Sequence, residues 1–514
     1  MREKQIPIID LFAGPGGLAE GFSSLINSNR RRFDVRLSIE MDPHARETLK
    51  LRAFLRQFDV GAIPDEYYSL LEGKITTLEL YLKFPDEHEK AEKEAWQATL
   101  GKTDESEIDR RIREGLNGQK NWVLIGGPPC QAYSLVGRSR VGGINSDDHR
   151  VLLYREYLRI IAVHQPAVFV MENVKGLLSA KVGGEKIFDN ILSDLADPSS
   201  IFPEHISKGY KIHSLVKGIV KSDSDYLIKS ELYGVPQRRH RVILLGIRDD
   251  INISPSQLEP KEKVSLRSII GDLPAVRSGI YRESLASKDE IIKGKLKKVR
   301  KYKTIEDSFE KWQSLVNNFA NELSTLLPDS YRDNISFPQT RGSEFFEVNP
   351  ELNATNPLNE WYKDPKLRGV VNHQSRAHLT QDLKRYLFSA LYTRKTGNFP
   401  KMADYRAYGE DLLPDHNNAE SGKFNDRFRV QIPNEPATTV TSHISKDGHY
   451  FIHYDPVQCR SLTVREAARI QTFPDNYLFC GSRTQQFHQV GNAVPPFLAY
   501  QISKIVMKIM DTLE

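Results

Sequence analysis

The residues best suited to chemistry sit in one short run, Gly126-Gly127-Pro128-Pro129-Cys130-Gln131-Ala132-Tyr133-Ser134. Val123-Leu124-Ile125 just before it reads as the apolar end of a buried strand. Two glycines allow a tight exit, and two prolines cannot continue the strand. Cys130 is therefore expected on a stiff loop at the carboxyl end of a strand, the edge where open α/β sheets place ligands. A free thiol has a pKa of about 8.5, and its thiolate is a strong nucleophile; the plain alternative is a small buried hydrophobe. A second group follows the buried run Pro166-Ala167-Val168-Phe169-Val170-Met171, which ends in Glu172-Asn173-Val174. Glu172 is a candidate acid at the carboxyl end of a neighbouring strand. A third set is Gln237-Arg238-Arg239-His240-Arg241, ahead of the strand Val242-Ile243-Leu244-Leu245-Gly246. On an extended chain Arg239 and Arg241 share a face, where guanidinium groups suit a phosphate or a base oxygen.

These groups need a scaffold. Ile6 to Phe12 reads as a first strand, Ala13-Gly14-Pro15-Gly16-Gly17-Leu18 as a glycine-rich turn, and Ala19-Glu20-Gly21-Phe22 as the opening of a helix. Strand, turn and helix make the first unit of a doubly wound fold. The spacing is not Gly-x-Gly-x-x-Gly, so a nicotinamide cofactor is not implied. Val35, Leu37 and Ile39 alternate with polar residues up to Glu40, a carboxylate placed to grip ribose hydroxyls. Asp42-Pro43 then starts a helix as N-cap and first helical residue. Residues 60–120 read as an inserted, exposed helical excursion without chemistry of its own. The third strand belongs near there but has no secure place. Residues 137–145 form a polar loop suited to a lid or a substrate contact, and residues 148–164 form a helix with Leu152, Leu153, Tyr157, Ile160 and Ile161 facing inward.

The 514 residues carry a net charge of +5, which permits nucleic-acid binding without arguing for it. Three cysteines, Cys130, Cys459 and Cys480, are too few and scattered for a disulfide framework or a zinc site. No metal is expected. No apolar run approaches the about twenty residues of a membrane span, and Met1 to Gln5 leads directly into a strand, so neither membrane nor signal peptide is expected. From about 255 to 440 the β-α rhythm stops. That segment holds the basic run Lys293 to Lys303, suited to phosphate, and the cluster Asn372-His373-Gln374-Ser375-Arg376-Ala377-His378, whose side-chain types read base edges. Thr463 with Glu466 three residues on reads as a capping box.

In this order, Phe12 to Gly17, Glu40, Pro128 to Gln131, Glu172 to Val174, Gln237 to Arg241, Arg460 to Gln471 and Gly491-Asn492 strongly resemble the DNA cytosine-5 methyltransferases. That resemblance implies an α/β chain: a Rossmann-like doubly wound mixed sheet of the class I S-adenosylmethionine-dependent type, with a smaller, loop-rich target recognition domain. It implies a catalytic domain over 1–250, a recognition domain over 251–485 organised by Arg460 to Gln471 and framed by Thr439-Val440, and a segment 486–514 returning to the first domain. Cys130, Glu172, Arg239 and Arg241 would be catalytic. Phe12, Gly14, Gly16, Gly17, Leu18, Glu40, Met41, Pro128 and Asn492 would hold S-adenosylmethionine, with Phe12 on the adenine, Gly14 and Gly16 at the methionine end and Glu40 on the ribose. The acid that would contact the adenine is not evident within 55–125. The partner would be double-stranded DNA, the protein a cytoplasmic, nucleoid-associated monomer of a restriction-modification or orphan type, with a cognate restriction endonuclease as a further possibility. RNA cytosine-5 methylation and a catalytically silent DNA-binding regulator stand as alternatives.

Overall fold

The computed structural model describes residues 4–129, 149–182, 185–292, 295–326, 336–348, 356–414 and 427–513. At its centre lies one mixed sheet of β1 (Ile6–Leu11), β2 (Phe33–Glu40), β3 (Ala95–Gln97), β4 (Val123–Gly126), β5 (Val168–Val174), β6 (Tyr210–Ser214), β7 (Leu227–Lys229) and β8 (His240–Arg248). The strand order is β6-β8-β5-β4-β1-β2-β3, with β7 also on β8. The strands from β5 across to β3 run parallel, and β8 is antiparallel to β5, β6 and β7. The chain passes from β1 outward to β2 and β3, then returns across β1 to β4. That reversal opens a crevice at the carboxyl ends of β1 and β4, where doubly wound sheets bind ligands. The expected doubly wound mixed sheet is therefore the observed one.

Local sequence explains the elements around the crevice. β1 is buried at all six positions, as a strand covered on both faces must be. α1 (Gly17–Ser23) follows the glycine turn, and α2 (Pro43–Arg56) begins where Asp42 accepts from the N–H groups of His44 and Ala45 at 2.9 and 2.8 Å, with Pro43 first in the helix. Next come α3 (Asp65–Leu71), α4 (Thr77–Lys83), α5 (Pro85–Glu94) and α6 (Glu105–Leu116). They correct the expectation of an exposed excursion over 60–120. Tyr67 and Leu80 pack with Leu49 and Phe54 of α2, and Ile108 and Ile112 lie on the sheet with Ile9 and Leu37. The missing strand, β3, is inside this stretch; three residues directly after a helix are too few to show a period of two. α7 (His149–His164) and α8 (Ile187–Ala196) cover the same face of the sheet near β5.

Beyond the sheet come α9 (Leu266–Ile270), the antiparallel ribbon of β9 (Gly279–Ile292) and β10 (Lys295–Thr304), α10 (Phe309–Glu322), β11 (Ala377–Leu379) beside β9, and α11 (Thr380–Thr396). Trp312 and Val316 of α10 meet Leu383, Tyr386 and Leu387 of α11 in a core of their own. α12 (Val464–Ile470) and α13 (Arg483–Asn492) share another core with α9. Among the described helices beyond the sheet, α14 (Pro496–Met510) joins the core of the first sheet, where Leu498, Ala499 and Ile502 meet Leu18, Ala19 and Phe22. A Cβ at Gly21 would stand 2.4 Å from the Cβ of Ala499, so glycine is what lets the two helices touch. Ala493 packs in the core of α12 and α13, and Val494 in that of the first sheet. Among the described residues no helix is long and apolar enough to cross a membrane.

Candidate active site

On the β1 side of the crevice, Phe12 is half-buried with a left-handed backbone, φ 55°. The Gly14 N–H donates to Oε2 of Glu40 at 2.8 Å, and the Asp42 N–H donates to Oε1 at 2.8 Å. Burial raises the pKa of the Glu40 carboxyl, against those backbone N–H groups. At Gly14 no heavy atom stands within 4 Å of a Cβ position, whereas at Gly17 the carbonyl oxygen of Val494 would be 2.2 Å away. Gly14 faces open space; Gly17 makes room for the returning chain. Leu18 is buried, Met41 is 61% exposed beside Glu40, and Asn492 is exposed at the end of α13, within 3.2 Å of His488 Nδ1. Beneath them Asp10, the one polar side chain of β1, has both carboxylate oxygens buried and unpartnered, and Ser38 opposite it has an unpartnered hydroxyl. Burial holds the Asp10 carboxyl well above the usual carboxylate range. β3 ends at exposed Gln97, so no carboxyl group stands at that strand end.

The second half of the crevice joins β4 to β5. Gly127 lies so close to Glu172 that a Cβ would be 3.0 Å from Oε2. The Asn173 side-chain amide donates to the carbonyl of Pro128 at 3.2 Å. That bond ties the proline loop to β5, and an amide directly after Glu172 was the sequence signal for it. The loop leading to Cys130 is thus seated on the strand that carries Glu172. Cys130 itself, and the polar loop 137–145, lie outside the described residues. Arg241 Nε approaches Oε1 of Glu172 to 2.6 Å, with both side chains 14% exposed. Its N–H is not aligned along the contact, so this is a charge pair more than a directed hydrogen bond.

Arg239 is buried, and its guanidinium donates to the carbonyls of Val440 at 2.7 Å and Gly491 at 3.3 Å. Burial, with Arg241 nearby, pushes it well below the usual guanidinium value. Gln237 completes the brace: it donates to the Ile470 carbonyl and to Gln471 Oε1 at 3.0 and 2.5 Å, and accepts from the Val440 N–H at 3.0 Å. Gln471 in turn donates to Val490 and Ala493 carbonyls. Thr463 and Glu466 form the expected capping box, and Arg460 grips Glu466 with two bonds of 2.7 and 2.6 Å. Burial would raise Glu466, but Arg460 overcomes it and holds the carboxyl well below the usual range. Within the cluster 372–378, Asn372, His373, Ser375 and His378 are buried while Gln374 and Arg376 are half-buried, and His373 bridges Thr463 and the Pro274 carbonyl at 3.0 and 2.8 Å. Among the described residues no group of three or more His, Cys, Asp or Glu could hold a metal ion.

A family model described as C-5 cytosine-specific DNA methylase matches residues 82–508. The chain belongs to that family. It is similar over nearly its whole length to the type II methyltransferase M.Bpa9945I of Bacillus paralicheniformis: 31% identity over 524 residues, covering 98% of this chain and 99% of that protein. It is 26% identical to the type II methyltransferase M1.HphI of Haemophilus parahaemolyticus, over 98% of this chain and 86% of that protein. It is also 26% identical to the DNA (cytosine-5-)-methyltransferase M.ApeKI of Aeropyrum pernix, over 81% of this chain and 87% of that protein. This cytosine-5 DNA methyltransferase therefore acts on carbon 5 of cytosine in DNA. The crevice fits a methyl donor carrying a ribose: Gly14 leaves an open cradle, and the Glu40 carboxylate stands beside it.

Proposed function

We propose that the enzyme transfers a methyl group from S-adenosylmethionine to a cytosine flipped out of a specific double-stranded DNA sequence, through a covalent adduct on Cys130. The observation that carries this reading is the Glu172–Arg241 pair beneath the loop that leads to Cys130. Carbon 5 of cytosine is a poor nucleophile. The Cys130 thiolate attacks carbon 6, forming a C–S bond and pushing electron density toward carbon 5. Glu172, carrying a proton, bonds ring nitrogen 3 and the exocyclic amine, where the displaced charge collects. Arg241 supports the ring oxygen and keeps Glu172 aimed. Arg239 acts through Val440 and Gly491 as a positioning residue.

S-adenosylmethionine, when bound, supplies an electrophilic methyl group to the activated carbon. Phe12 would lie against the adenine with Met41 at its edge, Glu40 would hold the ribose, Gly14 would leave room at the methionine end with Gly16, Gly17 and Leu18 behind it, and Pro128 and Asn492 would close the sides. Loss of the carbon 5 proton and expulsion of the thiolate then restore the aromatic ring. The target carbon is shielded within a duplex, so the base must leave the stack at a cost of a few kcal/mol, offset by backbone and groove contacts. By their names the relatives are type II methyltransferases, which supports a restriction-modification setting; a cognate endonuclease for the same site and a monomer acting on cytoplasmic DNA complete the proposal.

Bisulfite sequencing of DNA from cells expressing the protein gives the recognised site. Duplex carrying 5-fluorocytosine there should trap a covalent complex that Cys130→Ser abolishes. Activity on tRNA with none on DNA overturns the reading, as does undiminished methylation by Cys130→Ser.

A further inference from the structure

A cavity of about 310 Å³ opens at the opposite end of α13 from Gly491 and Asn492. Tyr281, Arg376, Lys446, Arg483, Thr484 and Phe487 line it, and among the described residues no aspartate or glutamate does. Its arginines are already oriented. Arg376 donates to the carbonyls of Ile444 at 2.6 Å and Lys446 at 3.2 Å, and lies 4.5 Å over the Phe487 ring. Its buried Nε has no partner. Arg483 donates to the Ser375 carbonyl at 2.6 Å. Carbonyls hold these guanidinium groups in place but do not neutralise them. Burial, with Arg483 nearby and against Tyr386 and Asp447, pushes Arg376 down to about 10. Thr484 stands in the first turn of α13, the end of the helix whose dipole favours an anion. Lys446 is exposed at the mouth.

The geometry points to a phosphate seat here, taking one backbone phosphate of the bound duplex. A polymer suits it better than a free anion because the cationic surface continues. Arg282 packs on Tyr281 and Tyr302, 5.4 and 5.9 Å from the ring centroids, and leads onto the β9–β10 ribbon, where Arg300 to Lys303 are exposed. This rests on the duplex substrate proposed above and adds where the duplex is anchored.

Lys446→Ala tests it, with Lys446→Glu as the stronger variant and melting temperature as the check on folding. Duplex affinity, measured against salt concentration, should weaken roughly three- to tenfold at about 0.15 M, with the log–log slope shallower by about 0.9. Replacing phosphates one at a time by neutral methylphosphonate should reveal one position where the wild-type protein loses affinity and Lys446→Ala loses nothing further. Unchanged slopes in both variants overturn the inference. So does a loss of stabilisation by inorganic phosphate in Lys446→Ala with the duplex slope intact, which would make the cavity a free-anion site. If the Cys130 chemistry is wrong, trapping on 5-fluorocytosine DNA fails while these slopes stand, so the two failures are separable.

Discussion

The pairs Arg241–Glu172 and Arg460–Glu466 join the same two residue types and use them in opposite ways. Arg460 meets Glu466 through two aligned bonds, both side chains are 1% exposed, and the Thr463 N–H adds a third donor at 2.7 Å. Three donors thus share that carboxylate. Arg241 meets Glu172 through a single misaligned contact at a partly open edge. Hydrogen-bonding capacity remains there for a substrate. A saturated buried pair holds structure; an unsaturated one at a crevice can do chemistry.

The sharpest test of this contrast is Glu172→Gln. It should lower kcat on the order of 10²–10⁴-fold while leaving melting temperature and DNA affinity near wild type; a collapse of the fold instead would erase the distinction. Glu466→Gln should do the reverse. Removing one partner from a buried pair costs about 3–5 kcal/mol, read by denaturant unfolding, and activity per folded molecule should stay within a few-fold. A smaller effect is expected from pH, because the brace also buries His373 and His453. Burial pushes both imidazoles down to about 4, whereas in the unfolded chain they take up protons near pH 6.5. Falling pH therefore favours the unfolded chain: the stability is complete above about pH 6.5 and drains away toward pH 4. Denaturation midpoints across that window should fall, and His373→Gln should flatten the decline. The smallest effect belongs to Glu40→Gln, which should raise the Kd for S-adenosylmethionine about fivefold, on the order of 1 kcal/mol, with duplex affinity unchanged in titration calorimetry.

Much of the crevice was legible before any coordinates. Long apolar strands bounded by glycine or proline, such as β4 with its Gly127-Pro128-Pro129 exit, announce themselves through local patterning, and so does the Asp42-Pro43 helix start. β3 did not, because three residues carry no period. The bonds of Arg239 to Val440 and Gly491 were not legible, because alternation along a strand says which side chains share a face but not what that face meets. The same holds at 372–378: Asn and His are equally suited to base edges and to buried carbonyls, and only burial distinguishes the two uses.

By itself, then, the chain's order of residues determined the doubly wound sheet, the stiff loop before Cys130, the strand bearing Glu172 and the membership that the ordered motifs imply. These follow from steric rules and periodicities that act within a few residues. Only the tertiary structure decided that Gln237, Val440, Gln471 and Gly491 form one brace, that α14 returns to α1 through Gly21, and that Arg376, Lys446 and Arg483 surround one cavity. Those groupings bring together positions far apart in the chain, and their energies come from packing and from shared hydrogen bonds that no local pattern encodes.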